Sequence, residues 1–146
     1  MAHFAKVENN KVTQVIVADQ AHVDAQEGTW VKVSYNMYGG VYYDASTNTP
    51  ATDQSVVTGN AARERKNFPA VGWLYDGTGF YPPQPFVSWS FNSSTYLWDA
   101  PVTKPSDDST LDDDGNVIQY VWSEEAYNLD KSDPKTDGWV KIVVES

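Results

Sequence analysis

The side chains able to do chemistry in this chain are carboxylates, hydroxyls and two imidazoles. His3 and His22 are the only histidines and cysteine is absent, which leaves no thiolate nucleophile, disulfide framework or thiolate metal site. A serine nucleophile needs an adjacent base and an orienting group, and no Gly-x-Ser-x-Gly elbow is present. His22 and Asp24 stand two apart in a short turn, a spacing at which side chains seldom face each other. Twenty Asp and Glu residues make coincidental carboxylate pairs inevitable. Asp76, Asp99, Glu124 and Glu125 are candidates for the paired acids of glycoside hydrolysis, with nothing to select among them. Asp112-Asp113-Asp114-Gly115-Asn116 offers the hard oxygen ligands that Ca²⁺ takes, but its glycine comes too early for an EF-hand loop. Gly39-Gly40 and Gly77-Thr78-Gly79 lack the Lys-Ser/Thr or strand-to-helix context of a phosphate loop. The expectation is a non-enzymatic protein with no cofactor and no metal.

What remains is the chemistry of aromatic rings. Trp73, Trp89 and Trp98 have faces suited to stacking on sugars and are the candidate carbohydrate platform. A cysteine-free β domain with few leucines needs those same rings in its core, and that is the competing role. Tyr35, Tyr38, Tyr42 and Tyr43 fall where no periodicity buries them all, so they form a candidate contact surface. Tyr42, Tyr43, Phe68, Tyr81 and Phe86 are the candidate anchors for a protein partner.

The elements that must position these rings are strands. Aromatic residues make up 14% of 146 residues, which favours sheet over helix. Residues 2–8 alternate, Asn9-Asn10 is a two-residue turn, and 12–18 is a β-branched run, so an opening hairpin is expected. Asp19 caps a short turn that Gly28 ends, and residues 29–34 return to alternation. Residues 44–60 have no sustained period and read as a long surface loop. Residues 61–66 concentrate basic side chains and read as a solvated face, with docking of an acidic partner as the alternative.

Two proline-ended aromatic hairpins follow. One runs 71–75, turns at 76–79 and returns through Phe80-Tyr81; the other runs 86–91, turns at 92–95 and returns through 96–98. A degraded third copy spans 117–122, turns over 123–136 and returns through 138–144, where WVKIVV is apolar enough to expect burial on at least one face. The aspartate-rich residues 105–116 read as a solvated connection.

The expected fold is all-β: several antiparallel hairpins in a small sandwich or partly open barrel with long surface loops, a single domain over 1–146 with 117–146 as a candidate peripheral hairpin region. A net charge of −10 argues against nucleic acid and anionic membrane surfaces as partners. No stretch of about eighteen apolar residues and no basic-then-apolar leader is visible, so neither a membrane span nor a signal peptide is expected.

The opening MAHFAKVEN-x-x-VTQVIVAD, the block RKNFPAVGWLYD, then PPQPFVSW and Trp98-Asp99-Ala100-Pro101 resemble a family of small proteins encoded by tailed phages of marine bacteria, cyanophages especially. The resemblance covers roughly residues 1–17 and 65–122; residues 35–60 and 106–116 look variable or inserted against it. It implies a virion component, made in the host cytoplasm and assembled into the particle, with no catalytic residues. The leading expectation is a capsid decoration or cement protein that binds the head lattice or other virion proteins and can form a homo-oligomer. The alternative is a tail- or baseplate-associated protein with a carbohydrate-binding role in host recognition.

Overall fold

A computed structural model describes residues 1–145. The elements in order are β1 (Ala2–Glu8), β2 (Lys11–Ala18), α1 (Gln20–Asp24), β3 (Thr29–Val33), β4 (Met37–Tyr38), β5 (Val41–Asp44), β6 (Thr49–Pro50), α2 (Ala61–Glu64), β7 (Leu74–Tyr75), β8 (Phe80–Tyr81), β9 (Ser90–Asn92), β10 (Leu97–Asp99), β11 (Val117–Trp122), α3 (Glu124–Leu129) and β12 (Trp139–Val144). The fold is all-β, its named strand pairs are antiparallel, and no sheet closes into a barrel; of the two expected architectures the sandwich-like one fits. The chain divides into two compact units, one of Met1–Gln84 with Phe91–Trp98, the other of Pro85–Ser90 with the chain from Asp99 onward.

The first unit is built on a five-stranded sheet in the order β3-β1-β2-β7-β8. Asn9 and Asn10 both adopt positive φ, 52° and 63°, which is the backbone that a tight hairpin turn with right-handed twist requires. Alternation then sorts side chains by face. Ala5, Val12, Val31, Val33 and Phe80 make one buried cluster, joined by Val7, Val15, Phe68, Trp73 and Tyr75. Phe4 and Ala18 gather on the other with Val23 of α1, flanked by Ile16 and Trp30. The sheet is therefore apolar on both sides, each fully buried aliphatic or aromatic side chain contributing about 1.5–3 kcal/mol.

Residues 65–68 tie this unit together. Arg65 C=O accepts from Phe80 N–H at 3.1 Å, Lys66 C=O accepts from Gly40 N–H at 2.9 Å, and Phe68 N–H donates to Met37 C=O at 2.9 Å. Asn67, 1% exposed, accepts from Gly39 N–H through Oδ1 at 2.7 Å and donates through Nδ2 to the carbonyls of Phe80, Thr95 and Tyr96 at 2.9, 3.1 and 3.1 Å. The expectation of a solvated basic face fails at Arg65, whose guanidinium donates to the Lys32 carbonyl at 2.7 Å and to the Tyr75 hydroxyl.

The two aromatic hairpins share one turn device. Asp76 Oδ1 accepts from the N–H groups of Thr78 and Gly79, and Asn92 Oδ1 accepts from those of Ser94 and Thr95, the local bonding that favours Asp and Asn at turn entries. Gly79 is required by close approach: a Cβ there would stand 2.8 Å from the Tyr96 ring and 3.0 Å from the Arg65 carbonyl. The second hairpin is shorter at its start than expected, since β9 begins only at Ser90; residues 86–89 instead form a turn closed by Trp89 N–H to Phe86 C=O at 3.1 Å.

The second unit is a two-stranded ribbon, β11 against β12, over an aromatic cluster. Trp122 meets Trp139 at 5.2 Å and Trp89 at 5.9 Å, and Phe86 and Tyr127 extend the group. The stretch expected as a long turn contains α3, capped by Ser123 Oγ accepting from Ala126 N–H at 3.1 Å. Ser-Glu-Glu before an Ala is a helix-start pattern that the sequence carried. Residues 105–116 are more than a solvated connection: Asp108 Oδ1 accepts from Tyr120 N–H, and Ser109 N–H and Thr110 C=O bond Ile118, so the segment lines the outer edge of β11.

Candidate functional site

The second unit contains an apolar surface that nothing in it covers. Cross-strand partners put Val117 opposite Val144, Gln119 opposite Ile142 and Val121 opposite Val140 on one face of the ribbon. Val121, Val140, Ile142 and Val144 are 52%, 45%, 40% and 42% exposed. The other face carries Trp122 and Trp139, which belong to the aromatic cluster, and buried Ile118, while Val143 opposite Ile118 is 50% exposed. The expectation that the closing strand is buried on one face is thus corrected: only Trp139 of β12 is less than exposed. The reason is geometric. A two-stranded ribbon has two faces, and the tryptophans cover only the Trp122–Trp139 end of one.

The free edge of β12 adds polar groups to this surface. Ser123 N–H donates to Gly138 C=O at 2.7 Å, which sets the phase of the ladder: the pairs Val121–Val140, Gln119–Ile142 and Val117–Val144 exchange hydrogen bonds. The N–H and C=O groups of Lys141 and Val143 therefore point away from β11. Among the described residues β12 pairs only with β11, so this edge is a template for a further strand.

Glu124 fixes the base of the cluster. Its carboxylate accepts from Ser88 N–H at 3.0 Å, from Ser88 Oγ, and from Trp122 Nε1 at 3.0 Å. The Ser88 hydroxyl, then the Trp122 indole, hold its carboxyl below the usual glutamate range. A carboxylate so committed is a structural acceptor, as are Asp44, Asp53 and Asp130, each of which accepts from both the N–H and the hydroxyl of the serine two residues on. Among the described residues no group of three or more His, Asp or Glu side chains is gathered to hold a metal ion. Among the described residues no helix is long and apolar enough to cross a membrane.

No protein-family model, curated protein or solved structure matches this chain.

The predicted anchors are distributed across several environments. Phe68 is half-buried, edge-on to His3 at 5.2 Å and to Tyr35 at 5.7 Å. Tyr81 packs on Phe91 at 5.2 Å and Tyr96 at 6.2 Å. The Tyr42 ring lies under the Arg63 guanidinium at 4.4 Å, while Tyr43 lines an open cleft. In the second unit Phe86 packs on Trp89 at 5.7 Å. Of the tryptophans, Trp73 packs against the core of the first unit, Trp98 donates its indole N–H to Pro82 C=O at 2.8 Å and meets Phe91 at 5.4 Å, and Trp89 belongs to the tryptophan cluster of the second unit. No shared stacking row joins Trp73 and Trp98. The surface that sequence reading missed is β12, because alternation cannot say whether a second layer exists to cover an apolar strand.

Proposed function

We propose that this protein is a non-enzymatic structural component of a phage particle, a decoration or cement protein of the head lattice, and that it docks through the β11–β12 ribbon. The observation that carries the reading is the coincidence of two features on β12: an exposed row of Val140, Ile142 and Val144, and an open hydrogen-bonding edge at Lys141 and Val143. Isolated two-stranded ribbons are marginal in water; a strand supplied by a lattice subunit would pair the edge, and the subunit surface behind that strand would cover the row. Each contact would be modest, but many copies on a repeating lattice give lasting occupancy. The resemblance of residues 1–17 and 65–122 to marine tailed-phage proteins supplies the particle as the setting.

The test is association of the purified protein with particles lacking it, followed by sedimentation and quantitative mass spectrometry. Hundreds of copies per particle support the head lattice, whereas a few tens or fewer point to a tail or baseplate position. Ile142→Glu should abolish association while the circular dichroism of the chain is retained. Association that survives Ile142→Glu overturns the docking surface, and absence of the protein from purified particles overturns the virion role.

A further inference from the structure

The first unit carries an open cleft of about 630 Å³ that the ribbon reading does not use. It lies between the β4–β5 hairpin and the turn after β5, and Tyr35, Asn36, Tyr38, Tyr43, Asp44 and Asn48 are among its walls. Its volume falls in the range of small-ligand sites. Tyr35 and Tyr38 are 66% and 54% exposed, so their ring faces are open to a ligand in the cleft. Among the described residues no hydrogen bond occupies the hydroxyls of Tyr35, Tyr38 and Tyr43 or the carboxamides of Asn36 and Asn48.

The walls are held rigidly. Met37, 3% exposed, forms the base, and its carbonyl accepts from Phe68 N–H. The Gly39-Gly40 turn is pinned by Asn67 Oδ1 and by the Lys66 carbonyl. Tyr43 N–H donates to Asn36 C=O at 2.8 Å, and Asn48 N–H to Asp44 C=O at 2.8 Å. The Tyr35 ring stacks on His3 at 5.6 Å with Phe68 at its edge. A site held in this way loses little entropy when a ligand arrives.

We infer that this cleft is a binding site for a neutral oligosaccharide. The rings offer apolar faces for the C–H faces of sugars, and the carboxamides and phenols offer paired donors and acceptors for hydroxyl groups. Asp44, held ionised by the hydroxyl and N–H of Ser46, and the net charge of −10 select against acidic sugars. The inference is independent of ribbon docking: it concerns other residues and another ligand class.

Titration of the ¹⁵N-labelled full chain with maltohexaose, cellohexaose and chitohexaose, and in parallel with hexagalacturonate, tests it. The expected result is a saturable shift of amides in residues 35–48 with at least one neutral hexasaccharide, at a Kd near or below about 1 mM, and none with hexagalacturonate. Tyr38→Ala, at an exposed position, and Tyr35→Ala should each weaken that binding about tenfold or more while amides of β7 and β8 keep their positions. Absence of saturable binding to all three neutral probes overturns the proposal. So does equal binding of the acidic one, or neutral-sugar binding unchanged in Tyr38→Ala.

Discussion

The side-chain amide nitrogen of Asn67 donates to the main-chain carbonyl of Phe80 at 2.9 Å, and these two residues are 1% and 0% exposed. The same amide holds Gly39, Thr95 and Tyr96, so one polar side chain joins three chain segments that share no strand pairing. Asn67→Leu keeps the volume but leaves one N–H and three carbonyls without their partner. Each such buried group costs about 1–3 kcal/mol, so a loss of about 3 kcal/mol or more is expected in urea unfolding. A variant within about 0.5 kcal/mol of the parent would mean that these groups find other partners.

Asp76 and Tyr96 form a second polar tie, with Tyr96 Oη donating to Asp76 Oδ2 at 2.9 Å. Burial pushes the Asp76 carboxyl up, but the N–H groups of Gly79 and Thr78 and the Tyr96 hydroxyl outweigh it and hold the group below the usual aspartate range. Burial, then the bond to Asp76, raises the Tyr96 phenol. The Asp76 contribution is thus present above the unfolded aspartate value near 3.9 and is lost as pH falls through the lower folded value. The Tyr96 contribution is present below about 10 and is lost as pH rises through the higher folded value. Tyr96→Phe should cost about 1–2 kcal/mol at neutral pH and move the Asp76 carboxyl resonance to a higher midpoint in an NMR titration. An unmoved midpoint would sever the link.

Gly138 has φ +143°, and a Cβ there would overlap the Trp122 ring, which is 6% exposed in the aromatic cluster. Gly138→Ala must displace that ring or bend the entry to β12, at about 1–3 kcal/mol. Loss of near-ultraviolet tryptophan dichroism should accompany the destabilisation. Retention of the parental spectrum would show the cluster to be more yielding than its packing suggests.

Val140→Thr and Ile142→Thr should each change the stability of the isolated chain by about 0.5 kcal/mol or less, because both positions are exposed and threonine suits a strand. Sedimentation velocity of the double variant should show less concentration-dependent association than the parent. A large loss of stability instead would place those side chains in a core.

Much of the local structure was legible because it is governed by neighbours in sequence. Asn9-Asn10 between alternating runs specified β1 and β2, and Asp76 and Asn92 marked their turns. The burial of β12 was not legible, since WVKIVV has the same pattern whether or not a second layer covers it. Arg65 was misread for a related reason: a basic run looks solvated until the fold brings the Lys32 carbonyl within reach. The tyrosine cleft was half legible, in that residues 35–43 lacked any period that buries every ring. Its partners Asp44 and Asn48 carried no signal beyond turn propensity.

The order in which the chain visits its two units has a consequence for biogenesis. Residues 85–90 belong with the later unit, yet 91–98 return to complete the earlier one. During synthesis the first unit lacks the Thr95 and Tyr96 carbonyls that Asn67 needs until those residues have left the ribosome. Residues 85–90 are without the Trp122 and Trp139 rings on which Trp89 packs until those residues are made. Neither unit can be released by a single cleavage, and a nascent chain halted before residue 98 cannot finish either one.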